Sequence, residues 1–229
     1  MTTENNMKAD PKFSKAGKMP CRSWSLIARD TCPGSIDQET KELVPACQGC
    51  YAVNGNYRFS NVRKPRVHNR EDWRQADWVD AMVDAMQKDT YFRWFDSGDV
   101  YHPALAKKML EVIQRTPHIQ HWIPTRSHKI PRIRVILEQM NALPNCKVRY
   151  SGDDIRGNFV DGVDGSTIIG DDQIPEMQDR NDVAICEAYT REGKCADCRV
   201  CWSDVPVVAY VQHGVSMKKV NRNLIASAA

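Results

Sequence analysis

At 229 residues the chain has room for one domain, or one domain and a small appendage, with a hydrophobic core that needs no disulfide staples. A formal net charge of +3 does not mark a nucleic-acid binder, no apolar run approaches a membrane span, and the polar start has no secretory h-region. These exclusions point to a cytoplasmic chain with no membrane partner, where nine cysteines more often hold metal than form disulfides.

Residues 1–18 read as a flexible tail: Lys, Asn, Ser and Gly without periodicity. Residues 19–62 form a long irregular stretch holding Cys21, Cys32, Cys47 and Cys50, which suits a functional loop. Asn69 caps a predicted helix from Arg70, with Trp73, Ala76, Val79, Met82, Val83 and Met86 along one side. Residues 91–95 read as a strand. Pro103 then opens a helix whose apolar face is Leu105, Met109, Leu110, Val112 and Ile113. Residues 120–123 are the next strand, Pro131 opens a helix carrying Ile133, Ile136, Leu137 and Met140, and residues 146–150 are a third strand. Shorter strands are expected at 166–169, 183–186 and 207–211. The alternation predicts an α/β fold with a parallel sheet. A complete eight-fold barrel needs about 250 residues, so a partial (β/α) barrel or an open parallel sheet is expected. The expected divisions are the tail, an α/β domain over 19–182 with its N-terminal cysteine loop, and a Cys-rich C-terminal segment over 183–229.

Parallel α/β folds bind ligands beyond the carboxyl ends of their strands. Three predicted strands end in small polar turns: Asp96-Ser97-Gly98-Asp99, Thr125-Arg126-Ser127-His128-Lys129 and Ser151-Gly152-Asp153-Asp154. If adjacent, they form one pocket with acids, a guanidinium, hydroxyls and glycines. Such turns are also rich in these residues simply as helix caps.

The cysteines divide into two groups. Cys195-x2-Cys198-x2-Cys201 has the short spacers that aim successive thiolates at one ion, and Cys186 completes a set of four, with His213 as the alternative. Soft thiolates select zinc or an iron–sulfur cluster. In the N-terminal group Cys47-x2-Cys50 is a bidentate unit, Cys32 a third ligand and Cys21 a less secure fourth. Four ligands close a site, whereas three leave a position for chemistry. Cys146, in an apolar strand, reads as an inert core thiol.

Thr31-Cys32-Pro33-Gly34, Cys47-Gln48-Gly49-Cys50-Tyr51-Ala52 and the run from Asn61 to Asn69 resemble a family of bacteriophage proteins designated by gene-product numbers, as do Ser97-Gly98-Asp99 and the Cys195–Trp202 run. This likeness covers most of residues 20–215 and implies a chain working in the host cytoplasm. More broadly, the order Cys-x2-Cys-Tyr-Ala, Ser-Gly-Asp, Thr-Arg-Ser and Ser-Gly-Asp-Asp is similar to radical S-adenosylmethionine enzymes. That resemblance implies a [4Fe–4S] cluster on Cys32, Cys47 and Cys50, S-adenosylmethionine on the open iron, an electron donor, and reductive cleavage to a 5′-deoxyadenosyl radical that attacks an unidentified substrate. It implies a second cluster, or zinc, in the C-terminal group. Tyr51 would then lie near the adenine, and Asp99, in the Ser97-Gly98-Asp99 turn, would meet the amino group. Arg126 or Lys129, after Thr125, would pair with the carboxylate, while Ser151 or Asp153 would reach the ribose. Asp99, Arg126 and Asp153 are the catalytic candidates. The sequence departs from the usual Cys-x3-Cys-x2-Cys motif in its Cys32-x14-Cys47 gap.

Two other readings stand beside this one. Asp96-Ser97-Gly98 with Cys195, Cys198, Cys201 and His213 resembles tRNA-guanine transglycosylases, although those barrels are longer. A zinc-stabilised module that binds nucleic acid or a host protein would use the basic run Arg63-Lys64-Pro65-Arg66-Val67-His68-Asn69-Arg70 and the six tryptophans. The same run also reads as a solvated helix approach or as support for the cysteine loop.

Overall fold

A computed structural model describes residues 8–228, with side chains from 8 through 224. Eight strands form one sheet: β1 (Phe13–Ser14), β2 (Arg22–Trp24), β3 (Tyr91–Trp94), β4 (Gln120–Thr125), β5 (Cys146–Ser151), β6 (Gly165–Ile169), β7 (Val183–Ile185) and β8 (Val207–Val211). Their order is β1-β2-β3-β4-β5-β6-β8-β7. Only β1 is antiparallel to its neighbour; every other pairing is parallel. The expected parallel sheet is therefore present, as an eight-stranded, mostly parallel one.

The helices are α1 (Pro45–Gln48), α2 (Ser60–Asp72), α3 (Trp78–Met86), α4 (Pro103–Arg115), α5 (Pro131–Asn141), α6 (Ile174–Gln178) and α7 (Val215–Ala228). Pro103 and Pro131 each stand at a helix start, where a missing N–H costs nothing. His102 caps α4, its Nδ1 accepting from the Ala104 N–H at 3.1 Å. Trp78, Met82 and Met86 of α3, Leu105, Met109, Val112 and Ile113 of α4, and Ile133, Leu137 and Met140 of α5 pack on one face of the sheet. There they meet Trp24, Phe92, Trp94, Ile123, Cys146, Val148 and Tyr150, and Cys146 is the buried core thiol the sequence suggests.

Strand alternation places the register partners Ser23, Arg93, Trp122 and Lys147 on the opposite face. The C-terminal cysteine segment covers it. Trp202 packs edge-on against Tyr91 and Trp122, and its indole N–H donates to the Phe92 carbonyl at 3.3 Å. The fully buried Arg149 guanidinium donates to the carbonyls of Val200, Cys201, Ser203, Val205 and Pro206.

Several expectations need correction. Residues 8–18 are tied down: Phe13–Ser14 pairs with β2, and Asn69 binds both the N–H and the carbonyl of Lys12. Residues 1–7 of the expected tail lie outside the described residues. The strands of the expected C-terminal segment, 183–229, join the same sheet, with β8 between β6 and β7. The helix expected from Arg70 is two helices, α2 and α3, and Asn69 sits within α2 rather than capping it. Pro65 in the run argues against a helix, yet α2 carries it in its second turn. Among the described residues no helix is long and apolar enough to cross a membrane.

Candidate functional site

The three polar turns meet at the carboxyl ends of β2–β5, as the strand-end argument expects. At the end of β3 the chain reverses through Phe95, a bulky residue in the left-handed region (φ 60°). Such strain persists only where surrounding bonds hold it. Here Phe95 N–H donates to the Trp24 carbonyl at 2.8 Å, Asp96 N–H to Ser25 Oγ at 3.0 Å, and Leu26 N–H to the Ser97 carbonyl at 3.0 Å. Gly98 has φ +73°, and a Cβ there would lie 2.6 Å from both Leu26 Cβ and Thr31 Oγ1. This position requires glycine.

The acids of this turn are committed to the protein itself. Asp99 Oδ1 accepts from Thr125 Oγ1 and the Val100 N–H, both at 2.7 Å, and its Oδ2 from the Arg126 N–H at 2.8 Å. Burial pushes its pKa up. Asp96 forms a buried ion pair with Arg66 at 2.7 Å and accepts from Tyr57 Oη at 3.3 Å. Ser97 Oγ donates to the Leu26 carbonyl and accepts from Arg66 Nε, both at 2.7 Å. Asp99, Ser97, Gly98 and Thr125 thus form a frame joining turns. Asp96, held by Arg66, is equally poor as the nucleophile a transglycosylase needs.

Over this frame lies the cysteine loop. Asp99 N–H donates to the Thr31 carbonyl at 2.9 Å, Lys129 Nζ to the Gly34 carbonyl at 3.1 Å, and Ala46 N–H to the Asp153 carbonyl at 2.9 Å. Gly34 sits so close to the β4–α5 turn that a Cβ would fall 2.2 Å from the Arg126 carbonyl oxygen. The docked loop makes Cys32, Cys47 and Cys50 electrostatic neighbours. Burial first, then Asp99, pushes the Cys32 thiol up to about 12, and burial raises Cys47 despite Arg126.

Beside the thiols stands a polar cluster. Arg126 donates twice to the Gly152 carbonyl, at 3.2 and 2.6 Å. Lys129 pairs with Asp153 Oδ2. Asp153 Oδ1, 3.6 Å from Arg126 Nε, is shielded from solvent yet accepts no hydrogen bond among the described residues. Ser151 Oγ lies 3.3 Å from Ser166 Oγ. Tyr51 donates to the Asp96 carbonyl at 2.6 Å and packs edge-on against Tyr57, with its ring half exposed.

The second group gathers on the sheet face opposite the helices. Cys186, Cys195, Cys198 and Cys201 act on one another electrostatically. Cys201 Sγ lies 3.3 Å from Tyr210 Oη, and Cys195 Sγ 3.7 Å from Met19 Sδ. Cys21 is an electrostatic neighbour of Cys195, and the Cys195 N–H donates to the nearby Lys18 carbonyl at 2.9 Å. Burial pushes Cys21 up to about 11 and Cys201 to about 12. His213 is exposed past the end of β8. Arg93, a cation inside the aromatic strand Tyr91–Trp94, was not singled out by sequence reasoning. It stacks on Trp122 at 4.7 Å and acts on Tyr51 and Tyr57 on one side and on Cys21, Cys195 and Cys201 on the other.

Among the described residues, no three His, Cys, Asp or Glu side chains converge as the ligands of one metal ion would. The fit to a cluster or to zinc is therefore one of donor type and grouping, not of closed coordination.

No curated protein and no solved structure matches the chain. The family model for Gene product 88 matches residues 1–204. A chain matched over that span, with its cysteine loop docked on the ends of a parallel sheet, belongs to the Gene product 88 family of phage proteins.

Proposed function

We propose that this phage protein is an iron–sulfur enzyme of the radical S-adenosylmethionine kind, working in the host cell on a substrate not yet identified. The observation that carries the reading is that Cys32, Cys47 and Cys50 are electrostatic neighbours on one loop over the carboxyl ends of the parallel strands. Three thiolates hold a cluster and leave one iron open. When bound, the group would supply one-electron cleavage of S-adenosylmethionine, with the electron coming from an external donor.

The chain's own residues bind and orient. Asp153 Oδ1, shielded and without a hydrogen bond, suits an ammonium group. Arg126 and Lys129 beside it suit a carboxylate. Together they complement an amino-acid zwitterion, with Asp153, instead of reaching the ribose, taking the amino group that the sequence reading gives to Asp99. Tyr51, with its half-exposed ring beside Cys50, suits a planar base. Asp99 is a positioning residue, holding the Thr125–Arg126 turn from beneath. The second group, Cys186, Cys195, Cys198 and Cys201 with Cys21 nearby, would hold a further cluster or zinc.

The test is anaerobic purification with iron and sulfide analysis, followed by addition of S-adenosylmethionine and a strong reductant. Iron and sulfide that fall in Cys47→Ala, with methionine and 5′-deoxyadenosine released by the wild type, support the reading. A colourless protein that takes only zinc after anaerobic reconstitution overturns it.

A further inference from the structure

We propose that the exposed side of α2, with the turn that precedes it, is a landing surface for single-stranded nucleic acid. Residues 51–70 contain no Asp or Glu but carry Arg58, Arg63, Lys64, Arg66 and Arg70. The inner face of α2 is pinned by Arg66 on Asp96 and by Asn69 on Lys12 and Ser25. Helical periodicity then turns Ser60, Arg63, Lys64 and Val67 outward. These outward residues, with Arg58 and His68, line a shallow depression.

Two features separate this patch from an ordinary solvated face. First, Arg58, Arg63 and Lys64 stand together on one face and pair with no carboxylate among the described residues, whereas several arginines elsewhere do. Arg115 pairs with Asp80, Arg134 with Glu138, Arg156 with Asp172 and Arg180 with Asp182. Second, large aromatic residues are exposed beside these charges: Phe59 is 61% exposed, and Tyr51 is 52% exposed with its hydroxyl turned in to the Asp96 carbonyl. Unpaired cations suit phosphates, and open rings suit stacking on bases. A duplex hides its base faces, which selects the single strand. An anionic bilayer would want an apolar helix face, but of the exposed Tyr51, Phe59 and Val67 only Val67 lies on α2, among cations. Because Tyr51 follows Cys50, the surface runs to the rim of the cysteine loop. It does not depend on the cluster reading; if both hold, nucleic acid is the substrate class.

The experiment is fluorescence anisotropy of the full chain with labelled oligothymidylate and oligouridylate over a salt series. Three neutralised phosphates give a log–log salt slope of about −2 for a single strand. The combined charge reversal Arg58→Glu, Arg63→Glu and Lys64→Glu weakens binding at least about tenfold, and Phe59→Ala weakens it about fivefold or more. Both changes are at exposed positions and leave the circular dichroism spectrum intact. Arg134→Glu, on α5, leaves binding unchanged, and so does Cys47→Ala, which separates this proposal from the cluster reading. The proposal is overturned if neither oligonucleotide binds at low salt, or if Arg134→Glu weakens binding as much as the triple reversal. It is equally overturned if a duplex binds as tightly while Phe59→Ala changes nothing, or if the chain binds anionic vesicles and no oligonucleotide.

Discussion

The Asp99 carboxylate accepts the Arg126 backbone N–H at 2.8 Å, so the acid at the end of one strand holds the turn at the end of the next. With Thr125 Oγ1 and the Val100 N–H it has three donors from the protein itself. An amide in its place presents N–H groups to donors. Asp99→Asn is therefore expected to destabilise the fold by about 2–3 kcal/mol, read from urea denaturation. A loss below about 0.5 kcal/mol would mean the frame does not hold as described.

Arg66 and Asp96 form a buried pair, each side chain only 6% exposed. Removing one partner strands the other charge. Arg66→Met and Asp96→Asn are each expected to cost about 3–5 kcal/mol, with the double variant recovering part of that in a double-mutant cycle. Strict additivity of the two losses would contradict the pairing.

Two histidines tie stability to pH. His121 accepts the Trp94 indole N–H at Nδ1 (3.2 Å) and lies 2.9 Å from Thr116 Oγ1 at Nε2. Since the Thr116 hydroxyl donates to the Val112 carbonyl, Nε2 is the protonated nitrogen of a neutral ring. Burial lowers His121 to about 3 and His128 to about 4. The unfolded chain takes up these protons near pH 6.5 and the folded chain does not, so stability falls as pH drops below that value. The slope is about 1.4 kcal/mol per pH unit for each histidine, ending near the folded pKa. Asp99, raised by burial, acts in the opposite sense. The comparison with His121→Gln isolates the histidine: thermal melts from pH 7 to pH 4.5 should show a shallower decline in the variant. Parallel declines would refute the assignment.

Gly34 lets the cysteine loop touch the β4–α5 turn, with the Arg126 carbonyl where a Cβ would be. Gly34→Ala should lift the loop while leaving the core under α3–α5 intact. The expected result is lost cofactor loading at the N-terminal group with tryptophan fluorescence near that of the wild type. Full loading in the alanine variant would show that the loop docks without this contact.

Cys21 follows Lys18, whose carbonyl accepts from the Cys195 N–H at 2.9 Å, and is an electrostatic neighbour of Cys195. In a Cys47→Ala background, where only the second group is left to bind, Cys21→Ala should reduce the metal bound per chain. In a Cys198→Ala background it should leave the metal unchanged. The reverse pattern would return Cys21 to the N-terminal loop.

Much of the fold was legible because its helices face the sheet with ordinary periodicity. Leu105, Met109 and Val112 of α4 and Ile133, Leu137 and Met140 of α5 announce buried faces, and β8 matches its expected span over 207–211. The failures share a cause. β1 and β2 are two and three residues long, too short for a pattern, and exist because their neighbours pair with them. Helix α2 is polar, carries Pro65, and is held by Arg66 and Asn69 reaching partners distant in the chain.

The sequence by itself determined the two-part distribution of cysteines, the βαβ alternation and the small polar turns at the strand ends, since each is a matter of local spacing. Only tertiary structure decided which of those polar groups are free. Ser97, Asp99 and Asp96 are consumed by hydrogen bonds and an ion pair between turns, while Asp153, paired with Lys129, keeps an Oδ1 that accepts no hydrogen bond among the described residues. It also decided that Cys21 stands with Cys195, because β2 starts against the C-terminal segment: the Cys195 N–H donates to the Lys18 carbonyl at 2.9 Å. A side chain's partners are set by long-range packing, and no spacing along the chain records them.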